Sequence, residues 1–431
     1  MKISLISSRI TKKNNLSLKS NVIWAFVGNV IYAMSQWGIL ITLTKFGTPE
    51  MVGQYALGLA ITAPFFVLLS FNLRVVMVTD KTEQYRFNDY LTLRILMMLI
   101  SFIFIIIISP FLTNNLLTLF VVLQVGILKV SEFISDIFHG IFQKVEKLHL
   151  VSISKIIKGV LSLIIVLVLI YLTENILITL TGLIISWVLI LIIYDYRMSK
   201  KILGEYLANS EEVKLKWSYS NLKRLAAISF PLGIVAALDT LNVNIPRYFI
   251  QGSAGEEMLG YFAAITYLMV VGSTIINALG QAVTPRLSLY FSQGKISLFR
   301  TLLNRFIMLS IGIGLSGIIV ATFFGEITLT LIYSFEYAQF NSLFIWVMVS
   351  AAIWYITTAL GTGLNATRNF KAQIPIYILM VIFSTLASIL LIPIYQIDGA
   401  AMAICVGMLV RLVASYTVLQ KHLCSRSKRS I

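Results

Sequence analysis

The pattern of apolar and polar positions divides the chain into long apolar segments separated by short polar breaks. Stretches of about 20 mostly apolar residues, the length that crosses a bilayer as a helix, recur from Asn21 to Gln420. The sequence therefore predicts an all-α polytopic membrane protein of about twelve transmembrane helices. Their expected positions are approximately 21–44, 52–73, 91–112, 116–142, 151–172, 176–197, 226–250, 258–285, 302–324, 338–364, 373–394 and 398–420.

Composition and charge support a membrane location. Of the residues, 58% are hydrophobic and 12% are charged, which leaves too little polar surface for a soluble protein of this length. The formal net charge is +16, but most Lys and Arg residues fall in alternate breaks. This distribution is typical of cytoplasmic loops, so we expect both termini in the cytoplasm, an even number of helices and a multi-pass protein. It argues against nucleic-acid binding. The basic breaks lie around 74–94, 144–158, 197–224, 286–305 and 368–371, and in both tails.

A polar, basic break near the middle of the chain predicts two six-helix lobes. The expected organisation is a cytoplasmic basic tail (1–20), an N-lobe (21–197), a cytoplasmic linker (198–225), a C-lobe (226–420) and a second basic tail (421–431). The lobes show weak internal similarity, which indicates a parallel repeat with a substrate site between the halves. A duplicated scaffold without a transport role is the alternative. The similar stretches are 49–53 with 256–260, and Leu91, Arg94 and Met97 with Leu302, Arg305 and Met308.

The fourth predicted helix carries a stripe of polar residues at helical spacing. They fall within an arc of roughly 80° at 100° per residue. Because a charge at the bilayer centre costs about 2.5–3.5 kcal/mol on insertion scales, the stripe is expected to face a wet substrate or ion pathway. A polar seam that only fixes helix packing is the alternative. The stripe consists of Lys129, Glu132, Asp136, His139 and Gln143.

Further candidate site residues are spread over five predicted helices. Pro246 removes a hydrogen bond and predicts a broken helix that presents Arg247. Arg411 lies deep in the last helix, and arginine binds phosphate oxygens through two parallel hydrogen bonds. Arg94 and Arg305 lie at the starts of helices three and nine. They are candidates for contacts at the cytoplasmic entrance, and the alternative is that they are snorkelling anchors. The remaining candidates are Asp239, Asn277 and Gln281.

Several signatures of catalysis are missing from the sequence. We find no phosphate-binding glycine loop, no Cys and His metal spacing and no nucleotide fingerprint. No predicted outward loop exceeds roughly 15 residues, whereas a glycan-polymerising or acyl-transferring enzyme would use an outward catalytic loop. The expectation is a transporter, not an enzyme, with no catalytic residues, metal or cofactor. Coupling to an H⁺ or Na⁺ gradient remains open.

Four loose motifs are spread along the whole chain. They are Phe46-Gly47 through Gly53-Gln54-Tyr55, Pro246-Arg247-Tyr248-Phe249 with Leu259-Gly260-Tyr261-Phe262, Pro285-Arg286-Leu287-Ser288, and Pro393 with Asp398-Gly399-Ala400-Ala401-Met402-Ala403. With these motifs the chain resembles the Wzx-type O-antigen and polysaccharide flippases of the multidrug, oligosaccharidyl-lipid and polysaccharide exporter superfamily, which implies the bacterial cytoplasmic (inner) membrane as its location. The motifs describe the superfamily well and the substrate poorly.

The resemblance implies a two-lobed, MATE-like fold that works by alternating access. Its implied cargo is an undecaprenyl-diphosphate-linked oligosaccharide repeat unit of O-antigen (lipopolysaccharide) or another surface polysaccharide. Membrane lipids, a glycan polymerase and a chain-length regulator are the other implied partners. Lys129, Arg247 and Arg411 are the positions that would match the family's cationic cavity. The carboxylates of Glu132, Asp136 and Asp239 depart from that pattern, which leaves a multidrug or cation antiporter of the same fold as the alternative.

Overall fold

The computed structural model describes residues 18–80, 84–113, 115–206, 215, 217–367 and 373–427. All regular secondary structure in these residues is helical, which confirms the all-α class. The helices are α1 (Leu18–Phe46), α2 (Pro49–Ser70), α3 (Leu73–Thr79), α4 (Phe87–Leu112), α5 (Leu116–Lys144), α6 (Leu148–Thr173), α7 (Ile176–Ile190), α8 (Arg197–Tyr206), α9 (Tyr219–Ser292), α10 (Ile296–Ile332), α11 (Phe335–Ala338), α12 (Asn341–Ala366) and α13 (Gln373–Ser427). A π-helical turn, Leu191–Tyr196, joins α7 to α8.

Ten helices are long and apolar enough to cross a membrane, counted over the described residues. Two of these spans, Tyr219–Gly280 and Gln373–Leu423, contain 62 and 51 residues. At 1.5 Å per residue each exceeds the roughly 30 Å of a bilayer core more than twofold. Each leaves helical geometry once, at Gly255 (φ 83°, ψ −174°) and at Gln396 (φ 48°, ψ −126°). The protein is therefore a multi-pass membrane protein, and the count of twelve helices stays a prediction.

The described residues form two compact units. Unit 1 comprises those within Met1–Gly47 and Ile61–Ala237, and unit 2 those within Thr48–Ala60 and Leu238–Ile431. The boundary near residue 237 lies beyond the predicted 198–225 linker, and the start of α2 belongs with the second half of the chain. The predicted lobe boundaries and the cytoplasmic placement of the termini stay predictions.

Unit 1 is organised around α5, which packs against α3, α4, α6 and α7, while α1 pairs with α6. Small residues allow the α1–α6 backbones to approach, because Gly28 lies against Ser152 and Gly159 against Ser35. Part of the predicted linker is folded into this unit: α8 buries Leu203 in a core cluster that also contains Phe142.

Two predicted helices of unit 1 differ from the structure in a way that affects the site. The predicted helix 52–73 stops at a turn, where Phe71 and Asn72 have positive φ angles of 51° and 50°. The short helix α3 follows and carries Arg74. The predicted helix 176–197 changes to the π-helical turn before its end, and this turn contains Asp195.

In unit 2, α12 packs against α10 and α13. The start of α2 contacts α9 backbone to backbone: a Cβ on Gly53 would lie 1.7 Å from the Glu256 carbonyl oxygen. A Cβ on Gly260 would lie 1.9 Å from the Pro49 carbonyl oxygen. The expected break at Pro246 was wrong, because the backbone leaves helical φ and ψ at Gly255 and stays helical through Pro246.

Candidate functional site

The first part of the site is an arginine cluster inside unit 1, formed by Arg74, Arg94, Asp136 and Gln143. Asp136 of α5 lies between two guanidinium groups, with Arg74 Nη1 at 3.0 Å and Arg94 Nη2 at 3.4 Å. Arg74 Nε also donates to Gln143 Oε1 over 3.0 Å. The positive-φ turn before α3 brings Arg74 to this face of α5, so residues far apart in sequence meet at one carboxylate.

Arg94 is the most unusual member of the arginine cluster. Its side chain is 0% exposed, and its Nε and Nη1 atoms have no hydrogen-bond partner among the described residues. The guanidinium lies 5.6 Å from the centre of the Phe133 ring. Buried donors without acceptors cost free energy, and a cation away from water needs an anion nearby. The burial places Arg94 inside the unit, so it does not extend to the surface as a snorkelling anchor would.

The start of the α5 stripe is partly exposed. Lys129 Nζ and Glu132 Oε2 form an ion pair of 2.8 Å within the helix. Their side chains are 22% and 36% exposed, so solvent weakens the pair. Lys155 on α6 donates to Asn29 Oδ1 of α1 over 2.7 Å, which adds a cation from a neighbouring helix.

His139 of the stripe belongs to a second group, the Asp195 cluster, formed by Ser135, His139, Ser154, Lys158 and Asp195. Asp195 is 0% exposed; Lys158 Nζ lies 3.3 Å from its Oδ2 and His139 Nε2 lies 3.3 Å from its Oδ1. Lys158 also donates to the Ser135 hydroxyl, and His139 Nε2 lies 3.0 Å from Ser154 Oγ. The cluster joins α5, α6 and the π-helical turn.

Together these contacts give this group of residues in unit 1 a cationic excess. Five cationic side chains meet three carboxylates, Glu132, Asp136 and Asp195, so two positive charges remain when His139 is neutral. Such an excess can attract a ligand with about two negative charges. The cations are Arg74, Arg94, Lys129, Lys155 and Lys158.

In the described part of unit 2, a comparable contact is centred on Arg411 of α13. Its Nη1 donates to Asp239 Oδ1 over 3.1 Å, and its Nη2 donates to the Tyr377 hydroxyl over 2.8 Å. The Arg411 side chain is only 9% exposed, whereas that of Asp239 is 52% exposed. A small cleft beside this pair is lined by Tyr377, Gln373 and Ser415. The structure thus brings together two predicted site residues from distant parts of the chain.

The other predicted site residues are not gathered into a cluster. Arg247 donates from Nη1 to Asn244 Oδ1 over 3.3 Å, and its buried Nε has no partner among the described residues. Asn277 and Arg305 are exposed. Gln281 lies within α9, but its side chain is outside the described part of the structure. The role of each of these residues stays a prediction.

Sequence reasoning missed Arg74, Lys158 and Asp195. Arg74 and Lys158 lie in the predicted basic breaks around 74–94 and 144–158, the second of which overlaps the predicted helix 151–172, and Asp195 lies near the end of the predicted helix 176–197. A usable signal was present, because Lys158 and Asp195 have opposite charges and both fall inside predicted apolar segments. Arg74 could not be found this way, since only the turn at Phe71 and Asn72 directs it toward Asp136.

Comparison with known proteins gives the family. The family model described as polysaccharide biosynthesis protein matches residues 18–291. The chain is also 32% identical over 401 residues to the capsular polysaccharide biosynthesis protein CapF of Staphylococcus aureus, with 92% of this chain and 98% of that protein covered. The chain belongs to the polysaccharide biosynthesis protein family. The expected resemblance to polysaccharide flippases is confirmed at this level.

Solved structures show which fold this family member adopts. An inward closed form of the lipid II flippase MurJ matches 95% of this chain and 90% of its own, with a TM-score of 0.74 and 12% identity. An inward-facing multidrug resistance MATE transporter of the MOP superfamily matches 94% of this chain and 100% of its own, with a TM-score of 0.72 and 14% identity. At such low identity these matches show the fold alone, and the fold is the MATE-like one expected.

Proposed function

We propose that this protein flips lipid-linked oligosaccharide repeat units of a surface polysaccharide from the cytoplasmic to the outer face of the bacterial cytoplasmic membrane. The observation that carries the proposal is the cationic excess of the site residues in unit 1, with Arg94 buried and incompletely paired. Membership of the polysaccharide biosynthesis family and the fold shared with a lipid II flippase support it. The protein acts as a transporter and not as an enzyme.

The proposed cargo is a glycan joined through a diphosphate to a polyprenyl carrier such as undecaprenol. A diphosphate with about two negative charges complements the two unbalanced positive charges of unit 1. Each anionic charge that moves outward gains roughly 2.3 kcal/mol per 100 mV, so the membrane potential favours export of this cargo. Cationic groups lower the larger barrier, which is removal of water from the diphosphate inside the membrane.

A multidrug or cation antiporter of the same fold is the second candidate. It is favoured by the equally good fold match to a MATE transporter. A site for organic cations would need an excess of carboxylates, but each carboxylate of the unit 1 site is already close to a cation. The charge balance therefore supports an anionic cargo.

A deletion strain tests the two candidates directly. The flippase proposal expects loss of the surface polysaccharide and accumulation of lipid-linked repeat units on the cytoplasmic face. Arg74→Ala and Arg94→Met should fail to restore the polysaccharide at normal protein level, whereas Lys200→Ala, which removes an exposed charge on α8, should restore it. Unchanged polysaccharide with increased sensitivity to cationic drugs would instead support the antiporter.

A further inference from the structure

The Asp195 cluster has no part in binding an anionic cargo, because its carboxylate is fully buried and already faces two cationic or basic groups. Lys158 and Asp195 together are neutral, and His139 adds a third titratable group within 3.3 Å of Asp195. Placing three titratable groups where water is excluded is costly, and such an arrangement inside a membrane protein usually marks an ion or proton pathway. We propose that the Asp195 cluster binds one proton, shared between His139 Nε2 and Asp195 Oδ1.

The hydrogen bonds of the cluster leave room for one proton. Asp195 Oδ1 accepts no hydrogen bond from the described residues, although His139 Nε2 is 3.3 Å away. The same Nε2 atom lies 3.0 Å from Ser154 Oγ. When neutral His139 carries its proton on Nδ1, the Ser154 hydroxyl donates to Nε2 and Oδ1 stays unsatisfied. When a second ring proton binds Nε2, it points to Oδ1, and the cluster changes from neutral to a charge of +1.

Charged groups on the surrounding helices set how easily this proton binds. Arg74 of α3 and Asp136 of α5 lie near His139 but form an ion pair with each other, so their effects oppose. Lys155 of α6 and the Tyr194 hydroxyl of the π-helical turn are further titratable groups near the cluster. Helix α7 has no charged residue, and those of α8 are exposed.

The proton would act on a backbone that can change. Asp195 lies in a π-helical turn, a rare geometry in which one additional residue is accommodated and which occurs often at functional sites. A proton on His139 competes with Lys158 for Asp195 and repels the Lys158 ammonium group. Lys158 then moves toward Ser135, its second acceptor on α5. The contact between α6 and the π-helical turn is weakened as a result. The coupling of this change to export rests on the proposed function. The binding of the proton does not.

Trp187 of α7 provides a reporter for this change. Its ring centre is 5.9 Å from Lys158 Nζ, and its Nε1 donates to Ser162 Oγ over 2.7 Å. A change in the position of the ammonium group alters the electrostatic environment of the indole, and therefore its fluorescence. The full chain contains five other tryptophans, which can be replaced by Phe: Trp24, Trp37, Trp217, Trp346 and Trp354.

The experiment is a pH titration of Trp187 fluorescence in this single-tryptophan protein, purified and placed in lipid nanodiscs without cargo. We expect one transition with the slope of a single proton between about pH 4 and pH 9. It should disappear in His139→Gln, which leaves the Lys158–Asp195 pair in place. Glu132→Gln, which removes a partly exposed carboxylate of α5 outside the cluster, should keep the transition. A flat titration of the unchanged cluster, or the same transition in His139→Gln, would overturn the proposal.

A second variant shows whether loss of the transition is caused by unfolding around an unpaired buried charge. Asp195→Asn combined with Lys158→Met removes both charges and keeps the site neutral, and a single symmetric elution peak reports a folded protein. Without the Asp195 carboxylate the transition should be lost or shifted to lower pH by at least one unit. An unshifted transition would contradict the assignment. Because no cargo is present, the titration can succeed even if the deletion strain shows normal polysaccharide, so the two proposals fail separately.

Discussion

The guanidinium of Arg411 donates to Asp239 over 3.1 Å although the two residues are 172 positions apart in the chain. This contact joins α13 to α9 within unit 2, and the Tyr377 ring lies 4.6 Å from the guanidinium carbon. The arginine is almost fully enclosed, while half of the aspartate side chain faces outward. The pair is therefore asymmetric, and removing one partner has a different consequence from removing the other.

Asp239→Asn should lower the free energy of unfolding by at most about 1 kcal/mol, because a half-exposed partner gains little from the ion pair. Tyr377 still accepts a hydrogen bond from Arg411 in this variant. Arg411→Ala should abolish surface polysaccharide at normal protein level, since it removes the buried cation. Arg411→Lys is the control that keeps the charge and loses the two-pronged donor geometry, and it should restore export in part. Full export by Arg411→Ala would exclude a role for this cation.

Asp136→Ala should destabilise unit 1 toward the lower end of about 3–5 kcal/mol, because Arg94 remains buried without a carboxylate. Thermal unfolding of the purified protein measures the effect. Glu132→Ala is the matched control on the same helix, and its partner Lys129 is partly exposed, so its cost should stay below about 1 kcal/mol. Equal costs for the two substitutions would show that the arginine cluster does not depend on Asp136.

Gly53→Ala should disrupt the crossing of α2 and α9 in unit 2, because its Cβ would overlap the Glu256 carbonyl oxygen. Backbone atoms cannot move as a flexible side chain can, so we expect at least the roughly 1–3 kcal/mol typical of overpacking. Gly312→Ala on α10 is the control, since a Cβ there meets nothing within 4 Å. It should be neutral or stabilising, as alanine favours helix. A stable Gly53→Ala protein would contradict the close crossing.

Gly255→Ala should be costly for a different reason. The position has φ 83° and ψ −174°, a region used almost only by glycine, and a Cβ would meet no neighbour within 4 Å. Backbone strain alone should therefore cost about 1–3 kcal/mol. Gln396→Gly is the complementary variant: Gln396 has a φ of 48°, so glycine there should relieve strain and raise the unfolding temperature. An unfolding temperature unchanged by both substitutions would contradict these backbone conformations.

The apolar pattern predicted most of the fold because a chain segment of about 20 apolar residues crosses a membrane as an α-helix. Expected helix ends at 112, 116 and 176 coincide with the ends of α4, α5 and α7. The pattern also placed the stripe on α5 from its spacing alone. It could not indicate partners, because pairing depends on local backbone departures. The turn at Phe71 and Asn72 determines the position of Arg74, and the π-helical turn determines the position of Asp195. The amino-acid composition indicates neither of these backbone departures.

The central claim is movement of a lipid-linked glycan between leaflets, and reconstitution measures it most directly. Lipid-linked repeat units extracted from the deletion strain are incorporated with purified protein into liposomes, and a membrane-impermeant glycosidase is added outside. Vesicles with the native protein should expose nearly all repeat units to cleavage, while vesicles with Arg94→Met should expose about half, as protein-free vesicles do. Cleavage that stops at the protein-free level with the native protein present would contradict the account.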